Sequence, residues 1–320
     1  MTSLLHLDLG GIQIVGPLKS FGNLGSSLVD LDLSDNNLQG PIPDYAFSNM
    51  TSLLHLDLSS NQIVPLKSFG NLDTIPDWFW DLLPDLGILN ISHNRISGVL
   101  PHLTFKQPQL FGIDLSYNNF EGTIPPVGPH VEHLILSNNK FSGSIGFLCG
   151  ITYEYFQYLD LSDNQLSGSL PNCSIRWQGL SILNLANNNL SGKIPNSLDY
   201  GCLIQSLHLR NNSLVGELPS SLKHCNGMSV MDVGHNKFSG KIPAWIGDSL
   251  SDLIVLSLRS NQFHGMLPIP LSTTRKLLTE VPSSSCNHQD QDVMLSVGRY
   301  ALRVTEDPLY DWTRSRRLLV

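Results

Sequence analysis

Arginine, histidine and tyrosine residues stand at outward positions of a repeated sequence pattern, where their side chains are able to bind a partner. Tyrosine and arginine are the side chains that most often anchor protein interfaces. Arg210 and Arg259 lie two repeats apart, and with His208 and His235 between them they would hold a carboxylate or an acidic peptide segment. The alternative is that LRNN and LRSN are framework sequences. The ligand-facing candidates are Tyr117, His133, Tyr158, His208, Arg210, His235 and Arg259.

Nothing in the sequence indicates catalysis, a cofactor or a metal site. A phosphate loop, an HExxH motif, a nucleophile elbow and the kinase signatures are all lacking, and the five cysteines do not have zinc-site spacing. The formal net charge of −8 argues against nucleic acid or anionic lipid as a partner. The sequence therefore predicts a binding protein and not an enzyme.

The candidate residues are positioned by a repeat that reads LxxLxLxxNxLxGxIPxxLxx, first clearly seen from Leu28 to Asn36. Its leucines alternate with outward residues, which is the period of a short strand. The asparagine side chain both donates and accepts hydrogen bonds, so it can satisfy buried backbone groups where the strand ends. The predicted structural ladder consists of Asn36, Asn61, Asn94, Asn118, Asn139, Asn164, Asn188, Asn212, Asn236 and Asn261.

One short strand cannot bury its leucines alone, so successive units must stack around a shared core. We therefore predict a mostly β solenoid of the α/β type, a leucine-rich repeat horseshoe with a parallel concave sheet of about eleven short strands and an irregular or 3-10 helical convex side. The solenoid is expected to span residues 1–270, with an irregularity at 64–85. Residues 271–320 lack the repeat and are predicted to form a poorly ordered tail.

Several segments resemble plant extracellular leucine-rich repeat receptor-like proteins of the ethylene-inducing-xylanase receptor and Cf-type resistance group. They include TIPDWFWDL (residues 74–82), GELPSSLKHC (216–225) and KIPAWIGDSLSDLIVLSLRSNQFHG (241–265). The resemblance implies a ligand-binding ectodomain at the extracellular face of the plasma membrane, acting in defence or development. Its partners would be a peptide or protein elicitor and a co-receptor kinase, bound through the concave face.

The chain departs from that family pattern because it shows no signal peptide, no cysteine-paired cap and no transmembrane helix, which suggests a truncated receptor. Without such a helix, this fragment itself is not expected to contact the membrane. Two alternatives stay open. One is a secreted protein like the polygalacturonase inhibitors, which share the GxIP repeat. The other is a truncated product without an independent function.

Five Asn-x-Ser/Thr sequons are candidates for glycosylation: Asn49, Asn90, Asn172, Asn189 and Asn211. Asn90 and Asn211 are expected on the concave face, where a glycan would obstruct a ligand.

Two pairs of cysteines are separated by about one repeat. Cys149 and Cys173 have the same phase relative to their asparagines, so they are the candidate disulfide. Cys202 and Cys225 are slightly out of phase, which favours buried free thiols for this second pair.

Overall fold

The structure is a computed structural model that describes residues 4–21, 24–43, 45–47, 49–64, 79–80, 86–101, 111–128, 130–150, 156–172, 179–196, 202–268 and 294–296. The chain forms two compact units, Met1–Ser167 and Gly168–Val320, called the first and the second unit below. The irregularity predicted at 64–85 lies outside the described residues except for residues 64, 79 and 80. The predicted tail at 271–320 also lies outside them, apart from residues 294–296.

Each unit contains a row of three-residue strands, the inner strands, which are formed by the LxL segments of successive repeats. Neighbouring inner strands pair in parallel and in register, as Leu7 with Leu31 and Leu207 with Met231 illustrate. In the first unit they are His6–Asp8, Asp30–Asp32, His55–Asp57, Ile88–Asn90, Gly112–Asp114, His133–Ile135 and Tyr158–Asp160. In the second unit they are Ile182–Asn184, Ser206–His208, Val230–Asp232 and Val255–Ser257.

The seven inner strands of the first unit and the four of the second give eleven described parallel strands, which confirms the predicted fold class. The second unit contains one further strand, Met294–Ser296, which pairs antiparallel with Val255–Ser257. It comes from a segment that carries no leucine repeat, and the sequence analysis did not predict it.

The central residue of each inner strand points into the core, and the next leucine along the chain does the same. Leu31 and Leu33 in the first unit, and Leu207 and Leu209 in the second, are at most 2% exposed. Phenylalanines fill the space behind the leucines, and Phe120 and Phe141 stack with ring centroids 6.1 Å apart. Burial of this apolar surface is the main source of stability for a stack of coils that are individually unstable.

A second row of strands, the outer strands, follows the ladder asparagines. They are Val15–Gly16, Asn37–Gly40, Gln62–Ile63, Ser97–Val99, Asn119–Thr123, Lys140–Gly143, Gln165–Ser169, Asn189–Gly192, Ser213–Gly216, Lys237–Lys241 and Gln262–His264. The strand Gln165–Ser169 contains the boundary between the two units. The sequence analysis did not predict this row, because it expected only the parallel sheet of LxL strands and an irregular or 3-10 helical opposite side.

Short helices complete some of the coils. Three are 3-10 helices, at Leu18–Phe21, Gly146–Gly150 and Ser220–His224. One is an α-helix, Trp245–Ser249. These helices agree with the expected 3-10 character of the side opposite the inner strands.

The asparagine ladder joins each coil to the one before it. The Asn61 amide nitrogen donates to the carbonyl oxygen of Leu33 in the preceding coil at 3.0 Å, and to carbonyls of its own coil. Its Oδ1 atom accepts a hydrogen bond from the backbone N–H of Leu38 at 2.9 Å, again in the preceding coil. The same pattern recurs at Asn118 in the first unit and Asn236 in the second. Each asparagine therefore satisfies buried backbone groups of two coils at once.

Nine of the ten ladder asparagines are followed, four residues later, by a glycine with a positive φ; after Asn61 this residue is a proline. Gly143 and Gly40 both have a φ of 80°. A Cβ atom on Gly143 would lie 2.9 Å from Cγ2 of Thr123, whereas one on Gly40 would meet nothing within 4 Å. The two positions therefore share the backbone requirement for glycine and differ in the space available.

We expect Gly40→Ala to lower the free energy of unfolding by about 1–2 kcal/mol, the cost of a left-handed conformation for a residue with a Cβ atom. Gly143→Ala should cost at least about 1 kcal/mol more, because its methyl group also overpacks against Thr123. Urea denaturation of both variants measures the two terms separately. Equal losses at the two positions would show that the contact with Thr123 relaxes freely.

Candidate functional site

The residues on either side of each central leucine point away from the core and form a surface that we call the inner face. Their positions are set by the scaffold, as at Asp32, whose Oδ1 accepts hydrogen bonds from the backbone N–H of Ser34 at 2.9 Å and from its hydroxyl at 2.6 Å. The same bonds occur at Asp160 and Ser162. These aspartate–serine pairs stabilise the ends of the inner strands. They therefore belong to the scaffold, whereas the other outward residues differ from coil to coil.

His133 and Tyr158 form an aromatic pair on the inner face of the first unit. They are directly paired in register on neighbouring strands, and their rings stack with centroids 6.1 Å apart and an angle of 8°. Burial lowers the pKa of His133. Burial, followed by the charges of Asp160 and Asp114, raises the pKa of the Tyr158 hydroxyl well above its usual value. Both rings are therefore held in their uncharged forms at neutral pH, which suits them to apolar contact.

Tyr117 lies at the rim of the inner face, at the residue before a ladder asparagine. From Asp35 to Ser260, this residue has a φ between 51° and 56° in the ten coils with ladder asparagines. Such a conformation is usual for asparagine, aspartate and glycine and costs free energy for a bulky side chain. The Tyr117 ring is 48% exposed and stacks on His93 with centroids 4.0 Å apart. The backbone conformation is thus set by the repeat, and the half-exposed ring contributes little to the core.

The remaining four candidates lie on three successive coils of the second unit. His208 shares a hydrogen bond with the Ser206 hydroxyl, with 2.7 Å between Oγ and Nε2. Arg210 follows two residues later and is half-buried. The backbone N–H of His235 donates to the carbonyl oxygen of Arg259 at 2.9 Å, so these two residues are neighbours across the coils. The structure thus places these residues on neighbouring coils of this unit.

A further cluster on the first unit was missed by the sequence analysis. The Nδ1 atoms of His6 and His55 bond to the two carboxylate oxygens of Asp30, from the coils on either side of it. Burial acts to raise the pKa of Asp30, but the hydrogen bonds and positive charge of His55 and His6 outweigh it and hold the pKa below its usual value. The signal was available in the sequence, because all three residues stand six positions before the ladder position of their repeats.

The structure separates the five sequons by exposure. Asn49, Asn172, Asn189 and Asn211 are exposed, whereas Asn90 is only 2% exposed. The Asn90 amide nitrogen, to which a glycan would be joined, donates to Oδ2 of Asp57 at 3.1 Å. A glycan at Asn90 would have to break this hydrogen bond and displace the side chains that cover the residue.

The expectation of free thiols at Cys202 and Cys225 is wrong, because the two residues form a disulfide bond with Cα atoms 4.8 Å apart. Cys225 directly follows the 3-10 helix Ser220–His224. Cys149 is also disulfide-bonded. Its predicted partner Cys173 lies outside the described residues.

Comparison with known families supports the repeat assignment. Residues 26–75 match one leucine-rich repeat family model, and residues 85–106, 155–175, 179–200 and 203–225 match another. The receptor-like protein EIX2 of Solanum lycopersicum is 41% identical over 263 residues, which is 78% of this chain and 26% of that protein. Receptor-like protein 54 of Arabidopsis thaliana is 31% identical over 54% of this chain and 23% of its own length. The chain thus spans about a quarter of the length of these relatives.

Solved structures with this fold include two plant receptor kinase ectodomains. The GASSHO1/SCHENGEN3 ectodomain, in complex with CASPARIAN STRIP INTEGRITY FACTOR 2, has a TM-score of 0.71 and 29% identity, and the match covers 86% of this chain and 35% of that one. HAESA, in complex with the peptide hormone IDA and the co-receptor SERK1, has a TM-score of 0.67 and 31% identity, with 78% and 40% covered. Both proteins are from Arabidopsis.

Among the residues that the structure describes, no helix combines the length and apolarity needed to span a bilayer. The sequence relatives named above are receptor-like proteins. The repeat, the fold and the relatives together show that the chain is a leucine-rich repeat protein similar in sequence to plant receptor-like proteins.

Proposed function

We propose that this chain is the ligand-binding part of a plant cell-surface receptor-like protein in defence or developmental signalling. Its ligand is a peptide or protein elicitor, bound on the inner face, and its second partner is a co-receptor kinase. The parent receptor lies at the extracellular face of the plasma membrane. The proposal takes its partner classes from the peptide and co-receptor complexes of the structural relatives.

The observation that carries the proposal is the contrast between a constant scaffold and varied outward residues. The ladder asparagines and core leucines repeat in both units, whereas the inner face carries an aromatic pair in the first unit and basic residues in the second. Aromatic and arginine side chains dominate the energetics of protein interfaces. The scaffold does not require them, since other coils have serine or glycine at the same positions.

The disulfide between Cys202 and Cys225 supports the extracellular location. Disulfides persist in oxidising compartments and are rare in the cytosol. Both cysteines are less than a tenth exposed, so the bond belongs to the folded core of the second unit. Four exposed sequons are consistent with passage through a secretory pathway.

The test is a selection of linear peptides from a synthetic random library against the secreted chain, followed by affinity measurements on the selected peptides. Arg210→Ala combined with Arg259→Ala should weaken their binding at least about tenfold, as expected for loss of an interface anchor. The matched control is Lys237→Ala combined with Lys241→Ala, which removes two exposed positive charges from an outer strand. Inner-face binding would be refuted if the selected peptides still bind the double arginine variant but no longer bind the double lysine variant.

A further inference from the structure

The position two residues before the ladder asparagine changes character in the second unit. In the first unit it is a buried serine in six coils, Ser34, Ser59, Ser92, Ser116, Ser137 and Ser162. In three successive coils of the second unit it is Arg210, Gly234 and Arg259. Two arginines therefore flank a coil that has no side chain at this position.

The Arg259 side chain occupies space beside Gly234, which has no side chain of its own. A Cβ atom on Gly234 would lie 3.2 Å from Cγ of Arg259, and 3.0 Å from the hydroxyl of Ser257. The aliphatic part of the Arg259 side chain thus lies against Gly234, which belongs to the preceding coil. By strand spacing, Arg210 stands about 10 Å from Arg259, so two extended arginine side chains can reach the same point over Gly234.

Two buried polar atoms at this place have no hydrogen-bond partner among the described residues: Nε of Arg259 and Nε2 of His235. A buried donor without an acceptor costs free energy, and native structures rarely leave one without a reason. The nearby carboxylate of Asp232 is engaged at Oδ1 by the backbone N–H of Gly234 at 3.0 Å. Arg259 and His235 therefore border a positively charged notch beside Gly234, in which two nitrogen atoms have no hydrogen-bond partner among the described residues.

We propose that this notch, formed by Arg210, Gly234, His235 and Arg259, binds an oxyanion of the ligand, a carboxylate or a phosphate. One oxygen accepts a hydrogen bond from Nε of Arg259, and the other accepts one from a terminal Nη nitrogen of the same guanidinium group. This two-bond arrangement is the one that arginine favours. Arg210 supplies the second positive charge, and His235 donates from Nε2 in the tautomer that carries the proton there. The inference rests on the proposed function, because it names the chemical group that the second unit recognises.

The experiment measures the melting temperature of the full chain in acetate, phosphate and chloride at matched ionic strength. Acetate represents a carboxylate of a peptide, and phosphate represents a free or esterified phosphate. Wild type should gain about 2–4 °C in one of the two oxyanions over chloride, with a saturating dependence on concentration. The anion that saturates identifies the source of the oxyanion.

Two variants separate the notch from general salt effects. Gly234→Ser restores the side chain found in the first unit and displaces Arg259, and Arg259→Met keeps the aliphatic stem but removes every donor. Both should lose the gain, whereas Lys237→Ala, on an exposed outer strand, should keep it. An equal gain in wild type and Arg259→Met, or no gain in either oxyanion, would overturn the proposal. Because this titration uses no peptide, its failure is distinct from failure of the peptide selection.

Discussion

Asn61→Ile should lower the free energy of unfolding by roughly 3–6 kcal/mol, because it leaves several buried backbone groups without partners. The lost bonds are those from the amide nitrogen to the carbonyls of Leu33, Leu58 and Ser59, and the one that Oδ1 accepts from Leu38. An isoleucine at this position offers no donor or acceptor. Urea denaturation followed by circular dichroism measures the loss, and hydrogen exchange at the Leu38 amide reports whether it is local.

The chain contains its own control for this substitution. The first repeat reads HLDLGGIQIV and the third reads HLDLSSNQIV, so Ile12 stands where the third repeat has Asn61. Ile12 is 58% exposed, and no described residue of another coil requires its side chain for hydrogen bonding. Ile12→Asn should therefore change the free energy of unfolding by less than about 0.5 kcal/mol. Equal effects at the two positions would mean that the ladder contributes through packing and not through hydrogen bonds.

Loss of the Cys202–Cys225 disulfide should produce the second large effect. The bond closes a loop with a sequence separation of 23 residues. For a loop of this length, the entropy removed from the unfolded chain corresponds to about 3 kcal/mol of stability. The double variant Cys202→Ala with Cys225→Ala should lose roughly that amount in urea denaturation, with faster hydrogen exchange in the strands Ser206–His208 and Ser213–Gly216.

The single variant Cys202→Ala is the matched comparison, because it breaks the same bond but leaves Cys225 as a free thiol. Both variants should be destabilised to a similar extent. Alkylation of the unfolded, unreduced chain should label neither cysteine in wild type and only Cys225 in the single variant. Labelling of both cysteines in wild type, or an unchanged urea midpoint in the double variant, would contradict the assignment.

The scaffold could be predicted from the repeat, because each of its elements acts over a few residues. Alternating leucines at Leu31 and Leu33 identify an inner strand wherever they occur, and the asparagine three residues later identifies its end. The number of inner strands follows from counting such copies. The outer strands were not predicted, because their pairing partners lie in the next coil. In addition, their polar residues and glycine are equally typical of a turn.

Which outward side chains meet depends on how the coils stack. The Cys202–Cys225 bond joins two residues whose Cα atoms are 4.8 Å apart although they differ in phase along the sequence. The burial of Asn90, the bridge from Asp30 to two histidines and the fit of Arg259 against Gly234 all join residues of different coils. The repeat fixes the spacing of the coils, but the size of each neighbour decides whether a side chain is covered, stacked or left with unused donors. The sequence therefore predicted basic residues that could hold an anion, whereas the contact of Arg259 with Gly234 and the unpartnered nitrogen atoms beside it are seen only in the structure.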